Sequence, residues 1–303
     1  MNLFSEFDKK VDAIIKKSNG KTLILWGYGY SGQFFEHILN RRGKRIDYII
    51  DNFKDYPSRF CIYTSSILDE LDPGKCFVLE AFYEDEESKS VLNRCGYNNN
   101  SYLNLITEFF GTEKKILSYY DWFEYLFELD IKAVKHNECG DGTFYSFGND
   151  YSIIKILDEF QFMPEDGFFD FGCGKGGTLL LAEAYCGKLG GVEYDNDLYS
   201  IAKKNFQKCG MVNYELFCDD ASNIKTELDG YNYFYMYNPF NGDTFIKVIE
   251  NIEESYRRKP RTITLIYSGV TCHKLVIRNE IFKFTKRIPT EYWNKYTNIY
   301  MIG

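Results

Sequence analysis

The sequence predicts an α/β chain built on two doubly wound sheets, and three observations point to it. The same punctuation occurs twice, each time a short apolar strand, a glycine-rich turn and a helix. Each copy runs into a second apolar strand that stops on an acidic residue, Asp51 in the first and Glu193 in the second. The chain closes on two strand-like runs, 281–288 and 298–302, with no helix between them, which reads as an antiparallel hairpin finishing a parallel sheet.

In the first copy the strand is 22–26 (TLILW), the turn runs from Gly27 to Gly32 (GYGYSG), a helix is expected over 33–41 and a strand over 45–50. Residues 112–129 then read as helix, with Ile116, Leu117, Tyr120, Phe123 and Phe127 near three-to-four spacing. This helix serves as a connector, and the Gly/Asp/Asn cluster at 137–143 is a loop. The expected domains are therefore 1–111, a connector 112–135, and 136–303. In the second copy the strand is 167–171 (GFFDF), the turn starts at Gly172 (GCGKGG), a helix spans 178–186 and a strand 189–192. Helix 197–207, strands 214–218 and 231–237, helix 243–257 and strand 261–267 follow.

Composition narrows the function. With 303 residues and 45% hydrophobic content the chain can bury two cores, and its net charge of -8 supplies no basic field for tight nonspecific nucleic-acid binding. No apolar run approaches the ~20 residues that span a bilayer, and residues 1–17 read as a charged amphipathic stretch rather than a signal peptide. A cytoplasmic protein is expected, with no membrane partner. Nine scattered cysteines without a C-x-x-C fit reduced thiols, so no disulfide and no metal site is expected. The aromatic residues, 18% of the chain, run along its whole length and read as core positions rather than a stacking platform.

The second glycine turn carries the chemistry. A turn of this kind brings a ligand close to backbone N–H groups at a helix N-terminus. Asp170, two residues before Gly172, would repel a pyrophosphate and suits an ammonium group instead. Glu193 ends the next strand, where an acidic side chain accepts hydrogen bonds from ribose hydroxyls. After the third strand, Asp220 (with Asp219 beside it) offers a carboxylate to an exocyclic amine of adenine, and the Ala221 N–H faces a ring nitrogen. Together the three strand ends describe a nucleoside with a charged amino-acid tail. Each has a plainer reading: Asp170 as a helix cap, Glu193 as a solvated strand end, Asp219 and Asp220 as a turn.

In order and spacing, DFGCGKG at 170–176, GVEY at 191–194, Asp220 with Ala221, and NPF at 238–240 resemble class I S-adenosylmethionine (SAM)-dependent methyltransferases over residues 140–303. The resemblance implies a seven-stranded sheet of order 3-2-1-4-5-7-6 with a reversed last strand. It implies that Gly172, Gly174 and Gly176 line the methionine part of SAM, that Asp170 serves its ammonium, Glu193 its ribose and Asp220 its adenine, and that Tyr145 belongs to a covering segment. Asn238, Pro239 and Phe240 resemble the Asn-Pro-Pro-aromatic motif of enzymes that methylate exocyclic or amide nitrogens, with the second proline absent. There the Asn side chain and a proline carbonyl accept the amine's hydrogens and the ring stacks on it. Tyr237, Asn241, Tyr267 and His273 lie on the same rim as candidates for substrate contact, with a surface role the plainer reading of His273.

In the first domain, Gly27, Gly29 and Gly32 followed by Asp51 match the dinucleotide fingerprint by spacing, with Tyr28 and Tyr30 in its free positions. Residues 20–110 are similar to Rossmann-like domains attached to glycan-modifying acetyltransferases and methyltransferases, which implies a nucleotide or carbohydrate moiety; a structural domain with an empty turn is the alternative. The leading expectation is an enzyme methylating an oxygen or nitrogen of a small-molecule, glycan-linked or nucleotide-sugar-linked acceptor. The alternatives are an NAD-dependent oxidoreductase using the first domain, an N-methyltransferase acting on a nucleobase or protein amide, and a cofactor-sensing interaction module. A homo-oligomer is left open.

Overall fold

The computed structural model describes residues 3–52, 61–111, 121–122, 124, 127–132, 150–183, 185–289 and 296–303. Most of the expected connector helix, the loop 137–143 and Tyr145 lie outside the described residues. Contacts divide the chain into two compact units, Met1–Glu128 and Leu129–Gly303, so the division falls inside the expected connector.

The first unit opens with α1 (Leu3–Lys17) and β1 (Thr22–Trp26). After the glycine turn come α2 (Tyr30–Arg41), β2 (Tyr48–Ile50) and β3 (Ile62–Tyr63). The unit continues through β4 (Cys76–Glu80), α3 (Glu86–Arg94), β5 (Tyr102–Asn104) and α4 (Leu105–Phe110). All five strands are parallel, in the order β3-β2-β1-β4-β5. Side chains start two of the helices: Asp85 Oδ1 accepts the Ser88 N–H at 2.7 Å, and Asn104 Oδ1 accepts the Thr107 N–H at 3.0 Å. Aromatic residues form part of the core. Phe7 of α1 meets Phe34 of α2, and Trp122 stacks on Phe34 at 4.9 Å with its indole N–H donated to Ser31 Oγ at 3.0 Å. Ile24, Trp26, Ile50, Val78, Leu92 and Tyr97 make a second cluster that seats α3.

The second unit contains α5 (Asp150–Leu157), β6 (Gly167–Phe171), α6 (Gly177–Ala182) and β7 (Lys188–Glu193). Then come α7 (Asn196–Lys208), β8 (Tyr214–Cys218), β9 (Tyr233–Tyr237) and α8 (Gly242–Arg258). It ends with β10 (Ile263–Ser268), α9 (His273–Arg278), β11 (Lys283–Pro289) and β12 (Tyr296–Ile302). The seven strands lie in the order β11-β12-β10-β9-β6-β7-β8. Numbered within the unit this is 3-2-1-4-5-7-6, and β12 runs antiparallel to both of its neighbours, as expected. Phe169, Phe171, Tyr231, Phe234, Leu265, Tyr267 and Tyr300 pack with Phe245, Val248 and Ile252 of α8 on one face. Among the described residues no helix is long and apolar enough to cross a membrane.

The expected element boundaries need several corrections. Helix α2 begins at Tyr30 rather than residue 33, because Gly32 belongs to its first turn. Helix α6 stops at Ala182 rather than 186. Strand β9 begins at Tyr233 rather than residue 231, because Tyr231 closes the preceding turn with its N–H donated to the Leu228 carbonyl at 3.0 Å. Helix α9, six residues long with a single buried position at Val276, was not expected at all.

Gly190 in β7 marks a tight approach. A Cβ there would lie 2.5 Å from the Tyr231 hydroxyl and 2.6 Å from Phe169 Cδ2. The ring cannot simply withdraw, since its hydroxyl donates to Glu215 Oε2 at 2.7 Å. Gly190→Ala is expected to lose about 1–3 kcal/mol by overpacking, read from urea denaturation; wild-type stability would show that the ring gives way freely.

Candidate functional site at the carboxyl edge of the second sheet

The turn between β6 and α6 is held in a shape that demands glycine. Gly172, Gly174 and Gly176 have φ of +74°, +55° and +83°. Two of them are also close approaches: a Cβ on Gly172 would stand 2.5 Å from Pro239 Cβ, and one on Gly176 2.5 Å from the Phe206 ring. The turn is therefore pressed between the Asn238-Pro239 segment and α7. Gly172 and Cys173 both donate to the Val192 carbonyl, at 2.9 and 3.0 Å, which ties its start to β7.

Glu193, at the end of β7, is not a solvated strand end. Its Oε2 accepts the Gly174 N–H at 2.8 Å and its Oε1 the Asp195 N–H at 2.9 Å. Burial raises its pKa above the ordinary glutamate value, and these backbone N–H groups pull it back down. Asp170 is 3% exposed, and burial together with the Glu193 carboxylate pushes its carboxyl well above the usual range, against a bond to Thr178. It does not cap α6, whose N-cap is Gly176. A buried and a half-buried acidic side chain thus act on one another electrostatically beside the glycine turn. Asp220 Oδ1 accepts the Ser222 N–H at 2.8 Å, the bond of a turn, while Ala221 is buried behind it. Asp219 Oδ1 accepts from the Asp220 N–H and the Asn223 amide.

Lys175 is a buried cation of the turn that spacing did not single out. It lies inside the glycine turn, is 3% exposed, and its ammonium pairs with Asp130. The buried Asn205 amide of α7 donates to the carbonyls of both Asp130 and Lys175 at 3.0 Å. The pair is separated by 45 residues, so no local pattern could have announced it.

Asn238 stands in the left-handed region at φ +44°, with its N–H donated to the Ser268 carbonyl at 3.0 Å. Its side-chain oxygen accepts the Thr271 hydroxyl, another partner unseen in the sequence. Two expectations change here. Phe240 is buried and packs toward Phe245 in the core, so its ring is not presented for stacking. Tyr267 is fully buried, its hydroxyl accepting the Cys272 N–H at 3.0 Å and bonding Thr271 at 3.1 Å; it fixes the loop after β10 and does not reach a substrate. Tyr237 is half-buried, and Asn241 is exposed with its carboxamide oxygen 3.6 Å from the Cys272 thiol. His273 is half-buried and bonds Tyr300 through Nδ1.

In the first unit, Gly27 has φ +92°, and a Cβ on Gly32 would fall 2.0 Å from the Gly27 carbonyl oxygen, so both are required by the turn. Gly29 has open space around it. Asp51 Oδ2 accepts the Tyr28 N–H at 2.9 Å. The Tyr28 side chain does not occupy a free position but is buried.

No protein-family model matches the sequence, and no curated protein matches it. Solved structures are similar over about half of the chain. A ribosomal protein L11 methylase from Lactobacillus delbrueckii subsp. bulgaricus covers 51% of this chain and 79% of its own, at 11% identity and a TM-score of 0.40. A SAM dependent methyltransferase from Aquifex aeolicus covers 50% and 89%, at 14% identity and a TM-score of 0.38. The magnesium protoporphyrin IX methyltransferase of Synechocystis PCC 6803, solved with bound SAM, covers 50% and 76%, at 17% identity and a TM-score of 0.36.

Asp170 makes stability depend on pH. The folded state keeps its proton to a higher pH than the unfolded chain does, so its contribution is complete at acid pH and declines as pH rises from the ordinary carboxylate range toward the raised value. Asp170→Asn keeps the shape without the charge. Without ligand, its melting temperature is expected to fall less than that of wild type between about pH 5 and about pH 8, and to exceed it at the upper end. Parallel melting profiles would rule out the buried proton.

Proposed function

We propose that the second unit binds SAM at the carboxyl edge of its sheet and transfers the methyl group to an oxygen or nitrogen of a small-molecule, glycan-linked or nucleotide-sugar-linked acceptor. The observation that carries this reading is the buried Asp170 carboxyl and the Glu193 carboxylate bonded to the Gly174 N–H, beside three left-handed glycines. Two carboxyls sharing a buried site are costly when both are ionised, and a ligand with cationic groups relieves that cost. Lys175, the cation in the turn, is engaged by Asp130. The donor set therefore fits a nucleoside with an ammonium and a sulfonium better than it fits a pyrophosphate.

Asp170 would hold the ammonium, Glu193 the ribose, Asp220 and the Ala221 N–H the adenine, and Gly172, Gly174 and Gly176 give the backbone room to approach. When bound, SAM supplies an electrophilic methyl group on a sulfonium. The chain's own contribution is alignment, worth about 7–11 kcal/mol when acceptor and methyl are held in line. Asn238, fixed by the Ser268 carbonyl and the Thr271 hydroxyl, orients the acceptor together with the Pro239 carbonyl. The buried Phe240 ring supports this segment from the core side.

Isothermal titration of the full chain with SAM tests the reading. Glu193→Gln should bind roughly tenfold more weakly or worse, from the loss of charge-assisted hydrogen bonds. An unchanged Kd would remove Glu193 from the site, and no heat with the wild-type chain would remove the cofactor.

Asp130→Asn gives a second test. It leaves the Lys175 charge without its counter-ion, so SAM is expected to lose several-fold more affinity than its uncharged-sulfur product S-adenosylhomocysteine. Equal losses for the two ligands would mean that the pair serves only to shape the turn.

A further inference from the structure

We infer that the same edge of the second sheet carries an anion-recognition site, built from Arg287 and His273 around the Asn298 amide, for a carboxylate or phosphate group of the acceptor. The link to the acceptor rests on the methyl-transfer reading; the anion site itself stands on its own geometry.

The first indication is charge. In a chain of net charge -8, residues 273–289 hold five basic side chains (Lys274, Arg278, Lys283, Lys286 and Arg287) against one acidic side chain, Glu280. Lys286 is paired with Glu159 at 2.7 Å. Arg287 has no carboxylate partner among the described residues, yet it is held in place. Its Nε donates to Asn298 Oδ1 at 2.9 Å and its guanidinium lies 4.9 Å from the centre of the Tyr296 ring. The exposed Arg94, Arg257 and Arg258 each meet a carboxylate, whereas the exposed Arg278 meets none among the described residues, so what sets Arg287 apart is that it is anchored. A guanidinium anchored through Nε and stacked on an aromatic ring has its terminal nitrogens left as a fork, the geometry that matches a carboxylate or phosphate.

The anchor is itself built. Asn298 is fully buried, and its Nδ2 donates to the Tyr300 hydroxyl at 3.0 Å and lies 3.3 Å from His273 Nδ1. The Tyr300 hydroxyl is in turn hydrogen-bonded to His273 Nδ1, so the ring is held through that nitrogen and its Nε2 stays outside the network among the described residues. One amide therefore holds two groups, the guanidinium with its terminal nitrogens as a fork and an imidazole engaged through Nδ1.

Register relates this site to the proposed reaction centre. Met236, Tyr267, Asn298 and Arg287 share one row across β9, β10, β12 and β11, and Asn238 follows Met236 by two residues. Three strand spacings separate the ends of that row, roughly 14 Å. The anionic group of the acceptor is accordingly remote from the atom that receives the methyl group, which calls for an acceptor larger than a single amino acid.

The test follows the Arg287 Nε–H and His273 ring signals by NMR in the full chain, titrated separately with inorganic phosphate and with acetate at constant ionic strength. A saturable shift of both signals within the millimolar range is expected with at least one anion, and which anion acts assigns phosphate or carboxylate. Arg287→Gln should weaken the His273 response at least tenfold, Arg287→Lys should restore part of it, and both should keep the wild-type Kd for SAM. No saturable shift in wild type, or an undiminished response in Arg287→Gln, overturns the site. If the anions shift both signals but SAM does not bind the wild-type chain, the anion site stands and the methyl-transfer reading falls.

Discussion

The Glu193 carboxylate is the joint on which the second unit's edge depends. One oxygen accepts from Gly174 in the glycine turn and the other from Asp195, whose own side chain accepts the N–H groups of Asp197 and Leu198 to start α7. A single side chain therefore sets the turn, the strand end and the next helix relative to one another. It also raises the proton affinity of the buried Asp170 carboxyl. Electrostatic cost and backbone order are thus concentrated at the same few atoms.

The first unit uses a related device. Asp51, ending its second strand, accepts the Tyr28 N–H inside the turn, as Glu193 does for Gly174. The surroundings differ. Gln33 Nε2 donates to the Tyr28 carbonyl at 3.2 Å, and Tyr28 itself is buried, so side chains occupy the inner side of this turn. In the second unit the corresponding space is bounded by Pro239, by Phe206 and by the two acidic groups. Two turns with the same glycine spacing are therefore chemically unlike.

Much of this was legible in the sequence because it rests on local rules. Left-handed glycines, alternating apolar strands and an acid closing each second strand all have short-range signatures, and the strand order of the second sheet followed from the resemblance those signatures carry. The sequence was silent where a contact joins distant positions. Lys175 with Asp130, Asn238 with Thr271, and Asn298 with both Arg287 and His273 are tertiary pairs without periodicity. It misled where a residue type suited to a site was needed in the core: Phe240 and Tyr267 sit at the right edge of the sheet, but packing takes their rings. Helix α9 escaped because six residues with one buried side chain leave no amphipathic stripe.

The contact between Gly172 and Pro239 has an evolutionary consequence. With only 2.5 Å between a would-be Cβ at Gly172 and the Pro239 Cβ, Gly172 cannot gain a side chain while Pro239 stays. Across descendants of this chain, drift away from glycine at position 172 requires a compensating change at position 239. The glycine turn is therefore held to its sequence by the segment after β9, and diversification is pushed outward to segments that do not touch it.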